Sequence, residues 1–159
     1  MADHSDSRCD TTSGAPRGRS DGPAGATKPK QPAQPAFEGQ RVLIVDDDAR
    51  GVYALSSALA VRGLSVVYAA TGLDGIEAVR RDPTIRAVLL EVALPGLDGY
   101  ATAARIRELE RGGDTLIVAV TFEASAADRA KCLAAGMDVH VPKPVDVGHL
   151  LRVLRTLIP

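Results

Sequence analysis

The chain has 159 residues, a formal net charge of -1, 45% apolar and 3% aromatic residues, which suits one domain with an aliphatic core plus an appendage. So small a net charge gives no case for bulk attraction to nucleic acid or an anionic membrane, and no DNA or membrane partner is expected. Cys9 and Cys132 form neither a disulfide framework nor a metal-ligand spacing, and no apolar run approaches membrane-spanning length, so a reducing, cytoplasmic setting is expected.

Residues 1–38 are rich in Pro, Gly, Ala, Ser and Asp and show no hydrophobic period. Such a stretch buries too little apolar surface to offset its ordering entropy, and it is expected to be a disordered tail or linker. Phe37 is its one bulky apolar side chain besides Met1. The folded domain is expected at 39–159.

From Arg41 the pattern changes. Arg41 to Val45 reads as a buried strand, followed at once by Asp46-Asp47-Asp48. Val52, Leu55 and Leu59 recur at helical spacing, and Gly63 ends that helix. Ser65 to Ala69 is a second strand, and Leu73, Ile76 and Val79 mark a helix that stops near Asp82-Pro83. Ala87 to Leu90 is a third strand, ending at Glu91. After a Pro95-Gly96 turn, Asp98 caps a helix from about Tyr100 to Arg111. Leu116 to Val120 is a fourth strand ending in Thr121, and Ala126 to Ala135 a fourth helix capped near Ser125. A short strand over about Asp138 to Val141 leads to Pro142-Lys143-Pro144. A last helix carries Val147, Leu150, Leu151, Leu154, Leu157 and Ile158.

Five strand-then-helix units predict an α/β fold, a doubly wound five-stranded parallel sheet in the order 2-1-3-4-5. Ligands of such sheets bind outside the carboxyl ends of the strands, at the switch point between strands one and three. Asp46, Asp47 and Glu91 fall there. Three crowded carboxylates repel one another, and a hard cation such as Mg²⁺ relieves the clash while accepting a phosphoryl oxygen. The Thr121 hydroxyl and the Lys143 ammonium face the same opening, completing a surround suited to a phosphoryl group in transit. From Gly39 onward Lys143 and Lys131 are the only lysines among many arginines, so a compact ammonium at a strand end is notable.

From about Gln40 to Pro159 the sequence resembles the receiver domain of two-component response regulators, a flavodoxin-like (βα)5 fold. The motifs that carry the resemblance are Asp46-Asp47, Leu94-Pro-Gly-Leu-Asp-Gly99, Thr121 and Lys143-Pro144, in register on the five units. The resemblance implies that Asp46, Asp47 and the acceptor carboxylate bind Mg²⁺, that Thr121 and Lys143 sense the phosphate, and that the peptide bond to Pro144 is cis. It implies a histidine kinase or phosphotransfer protein as donor, and a downstream protein target on the face of helix four, strand five and helix five. Where the family places its acceptor aspartate, this sequence has Glu91. The extra methylene displaces the acceptor oxygen toward Thr121 and Lys143, which makes it a poor acceptor and a standing imitation of the phosphorylated state, with Lys143 as ion-pair partner. Phe122, after the switch threonine, either screens the pocket or points outward. His140 stands where the family's switch aromatic belongs, as a titrating sensor or a packed imidazole.

The expected role is a protein-interaction switch without its own output domain, and not an enzyme. Two other readings compete. Asp46-x-Asp48 after the first strand, with Lys143 later, also suits a Mg²⁺-dependent phosphohydrolase of the haloacid-dehalogenase type, although Arg50 departs from that motif. A receiver-like scaffold that binds no metal is the third.

Overall fold

The computed structural model describes residues 36–158. Five strands, β1 (Arg41–Val45), β2 (Ser65–Ala69), β3 (Ile85–Leu90), β4 (Leu116–Thr121) and β5 (Val139–Pro142), form one sheet. Each strand but the last is followed by a helix before the next: α1 (Ala49–Ala60), α2 (Gly72–Arg81), α3 (Gly99–Glu108) and α4 (Ala126–Ala134), with α5 (Val147–Leu157) after β5. All pairings are parallel and the order is β2-β1-β3-β4-β5, the expected doubly wound arrangement.

The strands are continuous apolar runs because both faces of the sheet are covered. Alternate side chains point to opposite faces. Val42, Ile44, Leu89 and Val118 meet Val52 and Leu59 of α1 and Leu150, Leu151 and Leu154 of α5. Leu43, Val45, Val88, Leu90 and Ile117 meet Val79 of α2, Ala103 and Ile106 of α3, and Cys132 of α4. Each fully buried leucine contributes about 2 kcal/mol relative to an exposed one.

The helices start where side chains can satisfy their free N–H groups. Asp48 accepts from Arg50 N at 3.2 Å and Asp98 from Ala101 N at 2.8 Å, so both are caps. Ser125 opens α4 with a reciprocal capping box to Asp128. α3 ends at Glu108, three residues before the expected Arg111, and a 3-10 turn at Gly112–Asp114 follows. The chain packs tightly in that turn: a Cβ on Gly112 would sit 1.7 Å from the Ile106 carbonyl oxygen. β5 is displaced by one residue, to Val139–Pro142. Of Leu73, Ile76 and Val79, which mark α2 in the sequence, Val79 is buried and Ile76 packs against the core, whereas Leu73 is exposed and Gly72 and Gly75 complete the inner face.

Of the expected tail, residues 1–35 lie outside the described residues. Phe37 does not behave as tail. Its ring is buried in the α1–α5 layer, and its N–H donates to the Arg62 carbonyl at 3.1 Å. Gly39, at φ +87°, donates to the Gly63 carbonyl at 2.8 Å. Among the described residues no helix is long and apolar enough to cross a membrane.

Candidate functional site

The sheet register creates the site. Val45 is paired with Leu90, so the next residues, Asp46 and Glu91, emerge side by side from β1 and β3. Glu91 N donates to the Val45 carbonyl at 2.9 Å, which fixes the start of the loop. Thr121 is paired with Pro142 at the ends of β4 and β5, and Lys143 N donates to the Thr121 carbonyl at 2.9 Å. Lys143 is thereby aimed back across the strand ends, and its bond to Pro144 is cis, as the resemblance implied.

Asp46 and Glu91 are only 8% and 6% exposed, so their charges need partners. Asp46 Oδ1 accepts from Asp48 N at 2.9 Å, and its Oδ2 accepts from Lys143 Nζ at 2.8 Å. Glu91 Oε1 accepts from Ala93 N at 3.0 Å, while Oε2 rests against the same Lys143 ammonium with no other donor. The Phe122 ring lies over that ammonium, its centroid 5.6 Å from Nζ, within cation–π range. Burial works against the Lys143 charge, but hydrogen bonds and attraction from Asp46 and Glu91 outweigh it, and its pKa rises above the ordinary lysine value.

The expected residues divide into those joined here and those not. Asp46, Glu91 and Lys143 converge, with Phe122 against them. Asp47 is exposed. Thr121 is buried at the end of β4, and its Oγ1 accepts from Glu123 N at 3.3 Å. His140 is half-buried and bonds the Glu123 carbonyl through Nε2 at 2.7 Å, while its buried Nδ1 has no partner. Phe122 takes both expected attitudes at once, 75% exposed yet with its ring toward Lys143. Two contacts were not anticipated. The sequence pairs Lys143 with Glu91 alone, whereas Asp46 is its second partner, and the Ala93 N–H that holds Glu91 is a backbone group with no sequence signal.

Of the acids expected at a Mg²⁺ site, Asp46 and Glu91 adjoin at the strand ends and Asp47 is exposed. Among the described residues no group of three or more His, Cys, Asp and Glu side chains is placed to hold a metal ion. Lys143 stands between two of the three acids, and the third faces solvent.

A cleft of about 300 Å³ opens beside the ammonium, between α1 and the loop that leads into α5. Val52, Leu55, Val145 and Val147 give it apolar walls, and Asp46, Lys143 and Phe122 line its charged end.

Residues 42–155 match the family model of the response regulator receiver domain. The chain belongs to the response regulator receiver family. Over 118 residues it is 36% identical to the response regulator MprA of Mycobacterium leprae, which covers 74% of this chain and 50% of MprA. The chain thus spans about half the length of the curated relatives it matches. Among solved structures it resembles the receiver domain of the sensor histidine kinase PA1611 from Pseudomonas aeruginosa PAO1. The TM-score is 0.71 with 33% identity, over 76% of this chain and 98% of that one, and that receiver was crystallised with a magnesium ion in its active site cleft. The receiver domain of Saccharomyces cerevisiae Ssk1, crystallised with the phosphotransfer protein Ypd1, is similar at a TM-score of 0.71 and 25% identity, over 77% and 90% of the two chains. Receivers are signalling domains of two-component systems, and this chain carries one.

Proposed function

We propose that this receiver is a pseudo-receiver: Glu91 replaces the acceptor aspartate, and the domain acts as a protein-interaction switch held in one state. The observation that carries the reading is the immobilised Glu91 carboxylate, with one oxygen on the Ala93 N–H and the other on the Lys143 ammonium. In-line transfer needs an acceptor oxygen free to meet a donor phosphorus in a narrow geometry. An oxygen pair fixed from both sides is poorly suited to that attack. It is well suited to standing in for the phosphoryl oxygens that Lys143 would otherwise meet.

The partners follow from the family. A histidine kinase or phosphotransfer protein is the upstream class, in keeping with the Ypd1–Ssk1 complex. The α4–β5–α5 face is the proposed output surface, where a cleft of about 630 Å³ is lined by Leu133, Met137, His140 and His149. The buried, unpaired thiol of Cys132 fits a reducing cytoplasm. Asp48, the second acid of the phosphohydrolase motif, caps α1, which weighs against that activity.

The test compares the natural protein with Glu91→Asp after incubation with Mg²⁺ and a small phosphodonor, read by intact mass. A base-labile phosphoryl adduct in the variant alone is expected. An adduct on the natural protein overturns the pseudo-receiver reading.

A further inference from the structure

We propose that the Lys143 ammonium is the resident cation of this pocket, so that the domain holds its strand-end carboxylates together without a divalent metal. The first ground is occupancy. Three of the four oxygens of the two buried acids accept a hydrogen bond, from the Asp48 N–H, the Ala93 N–H and Lys143, and the fourth, Glu91 Oε2, rests against the Lys143 ammonium as an ion pair. A Mg²⁺ ion takes one or two carboxylates and keeps several waters, so it must reach these same oxygens. Here it would have to displace the ammonium or lie against it.

The second ground is charge. Asp46 and Glu91 carry two negative charges and Lys143 returns one positive, which leaves the buried cluster at -1, with Asp47 outside in solvent. At contact distance an ammonium and a divalent ion repel strongly, even at the effective dielectric near a protein surface. The third ground is that Lys143 is held in place. Its side chain is 16% exposed, and the Phe122 ring centroid lies 5.6 Å from the ammonium.

Closure of the pocket is not what keeps metal out. The cleft beside Lys143 is open and reaches Asp46 directly, so a hydrated ion has access to the carboxylates. Its exclusion is electrostatic and rests on the ammonium being held against both Asp46 and Glu91. The length of Glu91 matters too. A shorter aspartate in its place draws its carboxylate back from Lys143 by about one carbon–carbon bond and leaves an oxygen for a cation. This role for Lys143 holds whether or not Glu91 accepts phosphate.

The experiment titrates Mn²⁺, a carboxylate-preferring divalent ion, into the full chain and follows the electron paramagnetic resonance signal of free Mn²⁺, with no phosphodonor present. The natural protein is expected to leave the free signal intact at millimolar Mn²⁺, and its melting temperature is expected to ignore Mg²⁺. Lys143→Met is expected to bind one Mn²⁺ per chain, more than about tenfold tighter than the natural protein, as removal of a unit charge at contact predicts. Glu91→Asp, which keeps the lysine and the fold, is expected to bind as well and carries the test if Lys143→Met does not fold. Stoichiometric Mn²⁺ binding by the natural protein overturns the proposal, even if that protein stays unphosphorylated. Failure of both variants, folded, to bind Mn²⁺ overturns it too, because Lys143 is then not what excludes the ion.

Discussion

Lys143 Nζ lies 2.8 Å from Asp46 Oδ2, although the two residues are 97 positions apart in the chain. The contact joins the loop after β5 to the end of β1, across β3 and β4, and Glu91 at the end of β3 shares the same ammonium. One cation therefore ties together the carboxyl ends of three strands. The pocket is a packed ionic cluster as much as a binding site.

Removing that cation leaves two buried carboxylates facing each other. Breaking a buried ion pair from one side costs more than the pair is worth, because the remaining charge is stranded. Lys143→Met is expected to lower unfolding stability by about 3 kcal/mol, the lower end of the cost of breaking a buried pair, because the site adjoins an open cleft. Urea unfolding at neutral pH checks it. Lys131→Met, at an exposed position of α4, is the control and should change little.

The Phe37 contact gives a second prediction. Its ring is 5% exposed and packs in the layer that holds Leu59, Leu64 and Leu154. Phe37→Ala is expected to destabilise the domain by about 3 kcal/mol, the usual cost of truncating a buried phenylalanine. A chain beginning at Arg41 should show the same loss by thermal melting, whereas one beginning at Ala36 should not. The folded unit would then start before the 42–155 stretch that matches the family model.

These two residues show where the sequence is legible and where it is not. Runs such as Val42 to Val45 and Leu116 to Val120, spaced by helical periods, carry the order of the sheet because burial on both faces demands continuous apolar strands. The placing of Asp46, Glu91, Thr121 and Lys143 at strand ends follows from the same runs. Phe37 was hidden, since a single ring among polar residues has no period to reveal its face. Asp46 and Asp47 look equivalent in sequence, but successive residues leaving a strand point to opposite sides, so one is buried and the other exposed. Which acid Lys143 chooses depends on side-chain reach of a bond length or so, and no spacing rule encodes that. The early end of α3 is hidden likewise: the extended backbone at Leu109 that ends it has no residue-type signal.

Acid sensitivity offers a third test. Hydrogen bonds from Thr84 and Arg41 hold the Asp82 carboxyl down to a pKa of about 2, below its ordinary 3.8. A lowered carboxylate pKa adds stability above the unfolded value, and that stability is lost as the pH falls through the folded one. The Asp82 contribution is thus complete above about pH 4 and fades toward about pH 2. Asp82→Asn should be less stable than the natural protein at pH 5, and the gap should shrink steadily on acidification. A gap that stays constant from pH 5 to about pH 2 would show that the carboxylate charge is not what Arg41 and Thr84 hold.

The last prediction concerns the loop that carries Glu91. Gly99 is the first residue of α3, and its backbone lies against the chain just after β3. A Cβ added there would fall 2.4 Å from the Glu91 carbonyl oxygen and 2.6 Å from the Val92 Cα. Both obstacles are backbone, so no side-chain rotation relieves the clash, and either α3 or the Glu91 loop must move. Helix propensity alone favours alanine over glycine by about 1 kcal/mol. Gly99→Ala is nevertheless expected to destabilise the domain by about 2 kcal/mol, in the range of overpacking costs. Gly113→Ala, where an added Cβ meets nothing within 4 Å, is expected to be near neutral. Chemical denaturation of both variants separates packing from propensity. In Gly99→Ala the displaced loop should also loosen Glu91 from Lys143, so this variant alone of the two should gain Mn²⁺ binding while keeping every charged group of the pocket.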